Sequence, residues 1–329
     1  MWMLSKDTIQ GHTALWLENE HLKISLLPEK GADIYHFIHK PSGVDFLMKT
    51  PSGLRPPSEQ PPMDFLENYE GGWQELFPNP GDACEYAGEL LPFHGEVALL
   101  PWDYTILCND TEETSVHLAV ECRQTPFRLE RVMRLRTDAN FLEIEGRVTN
   151  RSNAPASFTW GHHIVLGGDF LEDGCLLHLP ARQIITPPEL YEPKTARLAP
   201  GQNEPWPMAR GRNPGERFDL RRIPGREAHT HDDVYLTGLE AGKLSVANPR
   251  LGLQFHLEWD AALFRCVVNW QPFGGADLPP LTGIYGMGVE PWVTHLSLTQ
   301  AIEQGEALTL AGGESLQTAL RAGVEVHQP

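Results

Sequence analysis

The chain has 329 residues, of which 41% are hydrophobic, and its formal net charge at pH 7 is −18. A chain this acidic repels the phosphates of nucleic acids and the surfaces of anionic membranes, so we expect it to bind neither. The hydrophobic content is enough to fill a substantial core, which excludes global disorder.

The cysteines indicate a reducing environment. There are five of them, an odd number, and no two form a C-x-x-C pair. Free thiols are therefore expected. The N-terminus lacks the basic region and apolar run of a signal peptide, and no window approaches the roughly 18 apolar residues of a membrane span. We expect a cytoplasmic protein.

Strand patterns dominate the chain from end to end. Apolar and polar residues alternate at 22–26, 116–120, 142–145 and 253–258, which is the period of a half-buried strand. The 30 glycines and 28 prolines fit many short strands joined by turns. Long amphipathic helices are hard to find. The sequence therefore predicts an all-β fold, with residues 1–329 forming a single domain.

Two stretches are predicted to be loops. Residues 51–62 contain five prolines, and residues 180–231 are rich in Pro, Arg and Gly with little strand pattern. Loops this long are usually functional or disordered. A cover over a binding site and a plain surface insertion are both compatible with the longer stretch.

Two imidazole sites and a carboxylate lie in three distant segments rich in glycine, proline and tryptophan. They are His94, the adjacent pair His162 and His163, and Glu290. Separate strands can deliver such groups to one cleft, and histidine and glutamate suit general acid–base catalysis near neutral pH. Apolar and aromatic neighbours should raise the pKa of Glu290 by desolvation, which suits a base.

Each of these residues also has a purely structural interpretation. A lone histidine such as His94 is often a hydrogen-bonded residue at a strand end, and a glutamate such as Glu290 is often simply exposed. On a strand His162 and His163 point to opposite faces, so only one of them should enter a given cleft. Most tryptophans are core residues, and we expect only one or two to pack on a ligand.

His229 and His231 are candidate metal ligands. An H-x-H pair puts both rings on one strand face, and the two aspartates that follow could complete a shell. Without a second pair of ligands, a polar loop end is the favoured interpretation. The chain has no phosphate-binding loop, dinucleotide fingerprint or nucleophile elbow.

Several short segments resemble the aldose 1-epimerases, or mutarotases, of the galactose-mutarotase-like superfamily, and they occur in that family's order. The similar segments are 26–32 with 41–43 (opening strands and turn), 93–95 (a His-Gly segment), 163–167 (where the family often has His-Pro-Tyr-Phe-Asn), 232–235 (a sugar-contacting Asp segment) and 289–291 (a Glu-Pro segment). Residues 68–79 look like those of a divergent branch.

The resemblance implies a galactose-mutarotase-like β-supersandwich and an isomerase that interconverts the α and β anomers of a small-molecule carbohydrate. Glu290 would take the proton of the anomeric hydroxyl, His163 would protonate the ring oxygen, and His94 would hydrogen-bond the sugar or share the acid role. This requires one imidazole and Glu290 to face one pocket across about one pyranose ring. No metal or organic cofactor is needed. The residues expected to bind substrate are His162, Trp73, Glu75, Asp232 and Trp292.

Two other functions remain compatible with the sequence. One is a metal-dependent β-sandwich isomerase or lyase that uses His94, His163 and the pair at 229 and 231. The other is a carbohydrate-binding protein without catalytic activity. Arginines between residues 182 and 226 also leave open an anionic sugar as the substrate.

Overall fold

The computed structural model describes residues 4–58 and 64–327, which form 27 strands and one short α-helix. Strands β1 to β27 are, in chain order, Ser5–Ile9, His12–Glu18, Leu22–Leu27, Asp33–His39, Val44–Asp45, Trp73–Leu76, Cys84–Tyr86, Glu89–Leu91, Asp103–Asn109, Glu113–Glu121, Phe127–Arg136, Phe141–Asn150, Ala156–Phe158, Gly161–Leu166, Leu176–His178, Gln183–Ile185, Asn203–Pro205, Met208–Arg210, Arg217–Asp219, Thr230–Thr237, Lys243–Asn248, Leu253–Trp259, Cys266–Phe273, Met287–Gly288, Glu290–Trp292, Leu308–Leu310 and Ser315–Val326. Helix α1 is Leu298–Glu303.

The predicted all-β class is confirmed. Within the described ranges no helix is long and apolar enough to cross a membrane, and all five cysteines are free. Part of the predicted loop at 51–62 lies outside the described residues. The predicted loop at 180–231 contains the short strands β16 to β19 and the start of β20, so that prediction was only partly right.

Two large antiparallel sheets carry most of the strands. One has 13 strands in the order β1-β2-β3-β4-β6-β14-β25-β23-β20-β16-β17, with β5 paired to β4 and β24 paired to β14. The other has eight strands in the order β15-β21-β22-β27-β12-β11-β10-β9. In the middle of the larger sheet, β6, β14, β25, β23 and β20 are neighbours although they lie far apart in the chain. This arrangement brings the distant sequence motifs together.

The sheets bury their facing sides against each other. The core draws on both, and the rings of Phe37 on β4 and Phe255 on β22 meet edge to face at 5.8 Å between centroids. On β22 the buried residues Leu253, Phe255 and Leu257 alternate with more exposed ones, as the period of two predicts. Burial of alternate side chains therefore fixes which face of each strand enters the core.

An ion pair is embedded in this core. Arg131 on β11 and Glu75 on β6 are each 1% exposed, and Arg131 Nη1 lies 3.2 Å from Glu75 Oε2. Trp160 Nε1 donates a hydrogen bond of 2.9 Å to the other oxygen of Glu75, and Arg131 Nη2 donates to the carbonyl of Ala32. These partners satisfy a charge that would be costly to bury alone.

Replacing Arg131 with alanine should strongly destabilise the fold, because Glu75 would remain buried without its counter-charge. We expect Arg131→Ala to lower the free energy of unfolding by about 3–5 kcal/mol, measured by chemical denaturation. The matched control is Arg182→Ala, which breaks the exposed pair with Glu240 and should cost about 1 kcal/mol or less. Equal losses in the two variants would contradict this account.

Candidate active site

A cavity of about 400 Å³ lies on the face of the 13-stranded sheet that points away from the second sheet. Loops that carry Phe65, Tyr69, Phe93 and His94 form part of its wall. Its floor comes from β14, β20, β23 and β25, whose side chains in the cavity are His163, His231, Asp233, Tyr235, Val268, Trp270, Glu290 and Trp292.

Strand register explains which side chains reach the floor. Residues paired on neighbouring antiparallel strands lie on the same face of the sheet. Asp233 on β20 pairs with Trp270 on β23, and Val268 on β23 pairs with Glu290 on β25. Because Val268 and Trp270 are two residues apart on one strand, all four side chains share one face.

Glu290 is a buried carboxyl group without an arginine or lysine partner among the described residues. It is 1% exposed, and neither of its oxygens has a hydrogen bond to any described residue. Burial, reinforced by the charge of Asp233, raises the pKa of Glu290 well above its usual range, and the nearby indole N–H of Trp292 opposes this shift to a smaller extent. A Cβ at position 288 would lie 2.2 Å from Glu290 Oε1, so Gly288 makes room for the carboxyl group. Since buried carboxyl oxygens are almost always hydrogen-bonded, Glu290 is ready to bind a ligand hydroxyl.

His163 lies beside Glu290 on the cavity floor. Its Nε2 is 3.9 Å from Glu290 Oε1, and its ring contacts those of Tyr69 and Trp270, with centroids 5.1 and 5.9 Å away. Burial, with His94 nearby, lowers the pKa of His163 well below its usual value. The two groups stand side by side rather than across a pyranose ring as expected, because β14 and β25 are adjacent strands.

His94 reaches the same cavity from a tight loop. Its φ is +66°, and a Cβ on Gly95 would lie 2.3 Å from the carbonyl oxygen of Phe77, so this turn requires glycine at 95. His94 Nδ1 hydrogen-bonds the carbonyl of Pro80. A carbonyl only accepts, so Nδ1 carries the proton and Nε2 keeps its lone pair. Burial lowers the pKa of His94 to about 3, and the neutral ring therefore suits a hydrogen-bond acceptor.

The structure places four of the residues expected to bind substrate outside this cavity. His162 and Glu75 pair directly across β14 and β6, and both face the core. His162 Nδ1 accepts a hydrogen bond from Trp73 Nε1 at 3.3 Å, while Glu75 is held by the Arg131 ion pair. The expectation that His162, Trp73 and Glu75 contact a sugar in this cavity is corrected, because the strand alternation turns them to the other face.

Asp232 is the fourth residue outside the cavity. Its carboxylate accepts hydrogen bonds from the backbone N–H groups of Arg197 and Leu198, at 3.0 and 2.9 Å, and from Arg197 Nε at 3.2 Å. The neighbouring Asp233 lines the cavity instead. Asp232 and Asp233 are adjacent on β20, so their side chains lie on opposite faces of the sheet.

Trp292 lies in the cavity as expected, and several further residues join it that the sequence did not single out. Tyr69 is buried, its hydroxyl has no hydrogen-bond partner among the described residues, and burial raises its pKa well above the usual value. Trp270 and Tyr235 line the floor. The i, i+2 spacing of His231, Asp233 and Tyr235 indicates that their side chains share one face of β20. It does not indicate which face of the strand lines the cavity.

The candidate metal pair is engaged in other contacts. Trp270 Nε1 donates a hydrogen bond of 2.6 Å to His231 Nε2, and His231 Nδ1 lies 3.3 Å from Glu192 Oε2. His229 is largely exposed, and its Nδ1 bonds the carbonyl of Gly274 at 2.8 Å. In the described part of the chain, no group of three or more His, Cys, Asp or Glu side chains is arranged to hold a metal ion.

Part of the long insertion covers one side of the cavity. Tyr191 donates a hydrogen bond of 3.0 Å from its hydroxyl to Asp82, and Glu192 accepts one of 2.8 Å from the backbone N–H of Asp277. Tyr191 and Glu192 both line the cavity. Of the two interpretations of residues 180–231, the structure favours a cover over the site for this part.

Solved structures with the same architecture define the class of fold. The chain is similar to the Slr1438 protein of Synechocystis sp. PCC 6803, with 18% identity, a TM-score of 0.68, and coverage of 98% of this chain and 99% of that one. It is also similar to a galactose mutarotase-like protein from Clostridium acetobutylicum (12% identity, TM-score 0.65, 99% of each chain) and to one from Lactobacillus casei (16%, 0.63, 95% and 100%). The fold is therefore galactose-mutarotase-like, as the resemblance implied.

Within that class, the chain belongs to the family described as Domain of unknown function (DUF4432), whose model matches residues 9–324. None of the curated protein sequences compared with the chain matches it. Family membership therefore assigns no reaction, and the chemistry has to be argued from the cavity.

The adjacent aspartates should respond differently to alanine. Asp232→Ala leaves buried N–H groups and Arg197 without their acceptor, and we expect it to lower the free energy of unfolding by about 1–3 kcal/mol. Asp233 makes no hydrogen bond or ion pair with any described residue, so Asp233→Ala should change stability by less than about 0.5 kcal/mol. Chemical denaturation of both variants tests this, and a larger loss in Asp233→Ala would contradict the assignment of faces.

Proposed function

We propose that the protein interconverts the α and β anomers of a sugar by general acid–base catalysis in this cavity. The observation that carries the proposal is the unpartnered, buried Glu290 carboxyl group 3.9 Å from Nε2 of His163. The galactose mutarotase-like names of two similar structures support it, although a likeness at such low identity extends only to the fold.

The spacing of the two groups suits the reaction. Anomer exchange removes a proton from the anomeric hydroxyl and adds one to the ring oxygen, and both oxygens are bonded to the same carbon. Two neighbouring protein groups can therefore reach both oxygens from one side of the sugar, and the separation of about one pyranose ring that the sequence suggested is not needed. Glu290 acts on the hydroxyl and His163 on the ring oxygen; the ring opens, the aldehyde carbon rotates, and reclosure gives the other anomer.

The number of protons that Glu290 and His163 carry together also suits the reaction. Burial raises the pKa of Glu290 and lowers that of His163, so the two groups hold one proton between them throughout the pH range that separates the two pKa values. Moving that proton from Glu290 to His163 gives the carboxylate and imidazolium that open the ring. Reclosure at the opposite face of the aldehyde uses the same two groups in the reverse direction and restores the starting state.

Other cavity residues position the sugar. Neutral His94 accepts a hydrogen bond from a sugar hydroxyl through Nε2, and the buried hydroxyl of Tyr69 donates one. Trp270 and Trp292 line the cavity and offer flat apolar faces to the C–H groups of a pyranose. The proposed steps transfer only protons, so they call for no redox cofactor.

We also propose that the protein works as a single domain in the cytoplasm. The five free cysteines support a reducing compartment. One hydrophobic cluster contains residues from Leu4 to Val324 and so draws on nearly the whole described chain, which supports a single folding unit.

Replacing Glu290 with glutamine should remove most of the activity, because an amide cannot exchange the proton of the anomeric hydroxyl. We expect Glu290→Gln to slow anomer exchange by about 10²–10⁴-fold. The measurement is NMR exchange or optical rotation on a panel of aldoses, corrected for the uncatalysed rate.

Glu303→Gln is the matched control, since Glu303 is exposed on α1 and should leave the rate unchanged. A Glu290→Gln variant as active as wild type would refute the assignment. Sugar binding by wild type without any anomer exchange would refute catalysis and favour a carbohydrate-binding protein.

The pH profile should reveal a shared proton. A lone carboxylate base would give a kcat/KM that rises with pH and then stays level. Here the raised pKa of Glu290 and the lowered pKa of His163 predict a broad plateau around neutrality. Activity should fall on the alkaline side, where the pair loses its one proton, and on the acidic side, where it gains a second. A profile that stays level at alkaline pH would contradict the paired mechanism.

A further inference from the structure

The wall of the cavity carries acidic groups and lacks basic ones. Four carboxyl groups line it, those of Asp82, Glu192, Asp233 and Glu290, and among the described residues no lysine or arginine does. Burial lowers the pKa of His94, His163 and His295, so these three imidazoles do not supply the missing positive charge near pH 7. The fourth imidazole of the lining, His231, faces Glu192 at 3.3 Å and accepts a hydrogen bond from Trp270. The cavity is therefore electronegative.

Three of the four carboxyl groups have an explanation within the protein. Asp82 accepts a hydrogen bond from Tyr191, Glu192 accepts one from the backbone of Asp277 and faces His231, and Glu290 belongs to the proposed catalytic pair. Asp233 differs, since it makes no hydrogen bond or ion pair with any described residue. It is half-buried on the cavity floor.

Asp233 keeps its charge near pH 7. Its pKa is raised to about 6, mainly by burial; His231 opposes this shift, and the charges of Asp232, Asp82 and Glu192 add to it. The carboxylate is thus mostly ionised at neutral pH but poorly solvated. A group in this state gains from a cation more than an exposed carboxylate would.

Aromatic rings stand next to this carboxylate. Trp270 pairs with Asp233 across β23 and β20, and Tyr235 follows two residues later on the same face. The ring of His295 stacks on Tyr235 with centroids 4.4 Å apart. Aromatic faces attract cations as well as the C–H groups of sugars, so the surroundings of Asp233 suit an ammonium group.

The arginines that could have met an anionic sugar are committed elsewhere. Arg197 pairs with Asp232 and donates to Gln271 on the other face of the sheet. Arg210 and Arg217 both pair with Glu204. A sugar that carries a carboxylate or phosphate would enter a cavity lined by Asp82, Glu192 and Asp233 and would meet no lysine or arginine among the described lining residues.

We propose that the cavity selects its sugar by charge and takes an aldose that carries an ammonium group, bound at Asp233, in preference to the uncharged parent sugar. It excludes sugars that carry a carboxylate or a phosphate. This inference depends on the proposed function only in taking the ligand to be a sugar.

The test compares matched sugars in three stereochemical series: glucose, galactose and mannose, each with its 2-amino-2-deoxy sugar, its uronic acid and its 6-phosphate. Anomer exchange is measured with wild type, and binding is measured with Glu290→Gln. The pH is about 7, where an amine with a pKa of about 7.7–8.0 is charged. In the series that binds best, we expect the amino sugar to bind about tenfold more tightly than its parent and the anionic sugars at least about tenfold more weakly.

Two controls isolate the charge. Asp233→Asn should bring the ratio of amino-sugar to parent-sugar affinity close to one, while Asp138→Asn at an exposed turn should leave it unchanged. Raising the pH to about 9 should also reduce the ratio in wild type, because the amine loses its charge.

The proposal is overturned if an anionic sugar binds as tightly as its parent, if no amino sugar exceeds its parent, or if Asp233→Asn leaves the ratio unchanged. It is overturned as well if no sugar of any charge binds. Binding in the expected order without anomer exchange would refute the proposed catalysis and leave charge selection standing.

Discussion

The site depends on the burial of one carboxyl group without a counter-charge. Moving a carboxylate out of water is costly, and proteins normally offset that cost with a cation or with hydrogen bonds. Glu75 and Asp232 follow the rule, since Arg131 and Arg197 hold them. Glu290 is as buried as Glu75, but among the described residues it pairs with no arginine or lysine, and neither of its oxygens has a hydrogen bond of ordinary geometry. Arginines offset the desolvation cost of the carboxyl groups of Glu75 and Asp232, but no such residue offsets it at Glu290. The one carboxyl group of the three that lacks a cation is the one that lines the cavity.

The two faces of the 13-stranded sheet differ in whether their buried polar groups have partners within the protein. One face packs on the second sheet and contains the satisfied polar groups, such as the bond from Trp73 to His162. The other face carries His163 and Glu290, whose polar atoms are left for a ligand. A strand residue and its neighbour belong to different faces, so His162 is a structural histidine and His163 lines the cavity although they are adjacent in the chain.

Close backbone approaches make this arrangement of side chains possible. Gly288 leaves the space that the Glu290 carboxyl group occupies, and Gly95 lets its loop pass against Phe77. The carbonyl of Pro80, which precedes β7, accepts a hydrogen bond from His94 Nδ1 and so fixes the tautomer of His94. These two glycines are thus part of the cavity's construction, since a Cβ at position 288 or 95 would collide with Glu290 Oε1 or with the carbonyl of Phe77.

The sequence by itself determined the class of the fold, and it singled out His94, His163 and Glu290, which line one cavity in the structure. The period-two alternation and the frequent turn residues were enough for an all-β chain, because they reflect local geometry and burial. The motifs around His94, His163 and Glu290 were recognisable because glycine, proline and tryptophan restrict the backbone and the packing around them.

Only the tertiary structure decided which side chains share the cavity. Strand geometry predicts that the side chains of Asp232 and Asp233 point to opposite faces of the sheet. Which of these faces packs in the core depends on how strands that are distant in the chain pair with each other. The pairing of β14 with β6 and β25 directs the side chains of Trp73 and Glu75 into the core and places His163 beside Glu290. Partner choice between β6, β14 and β25 is a long-range property, and no local pattern in the sequence encodes it.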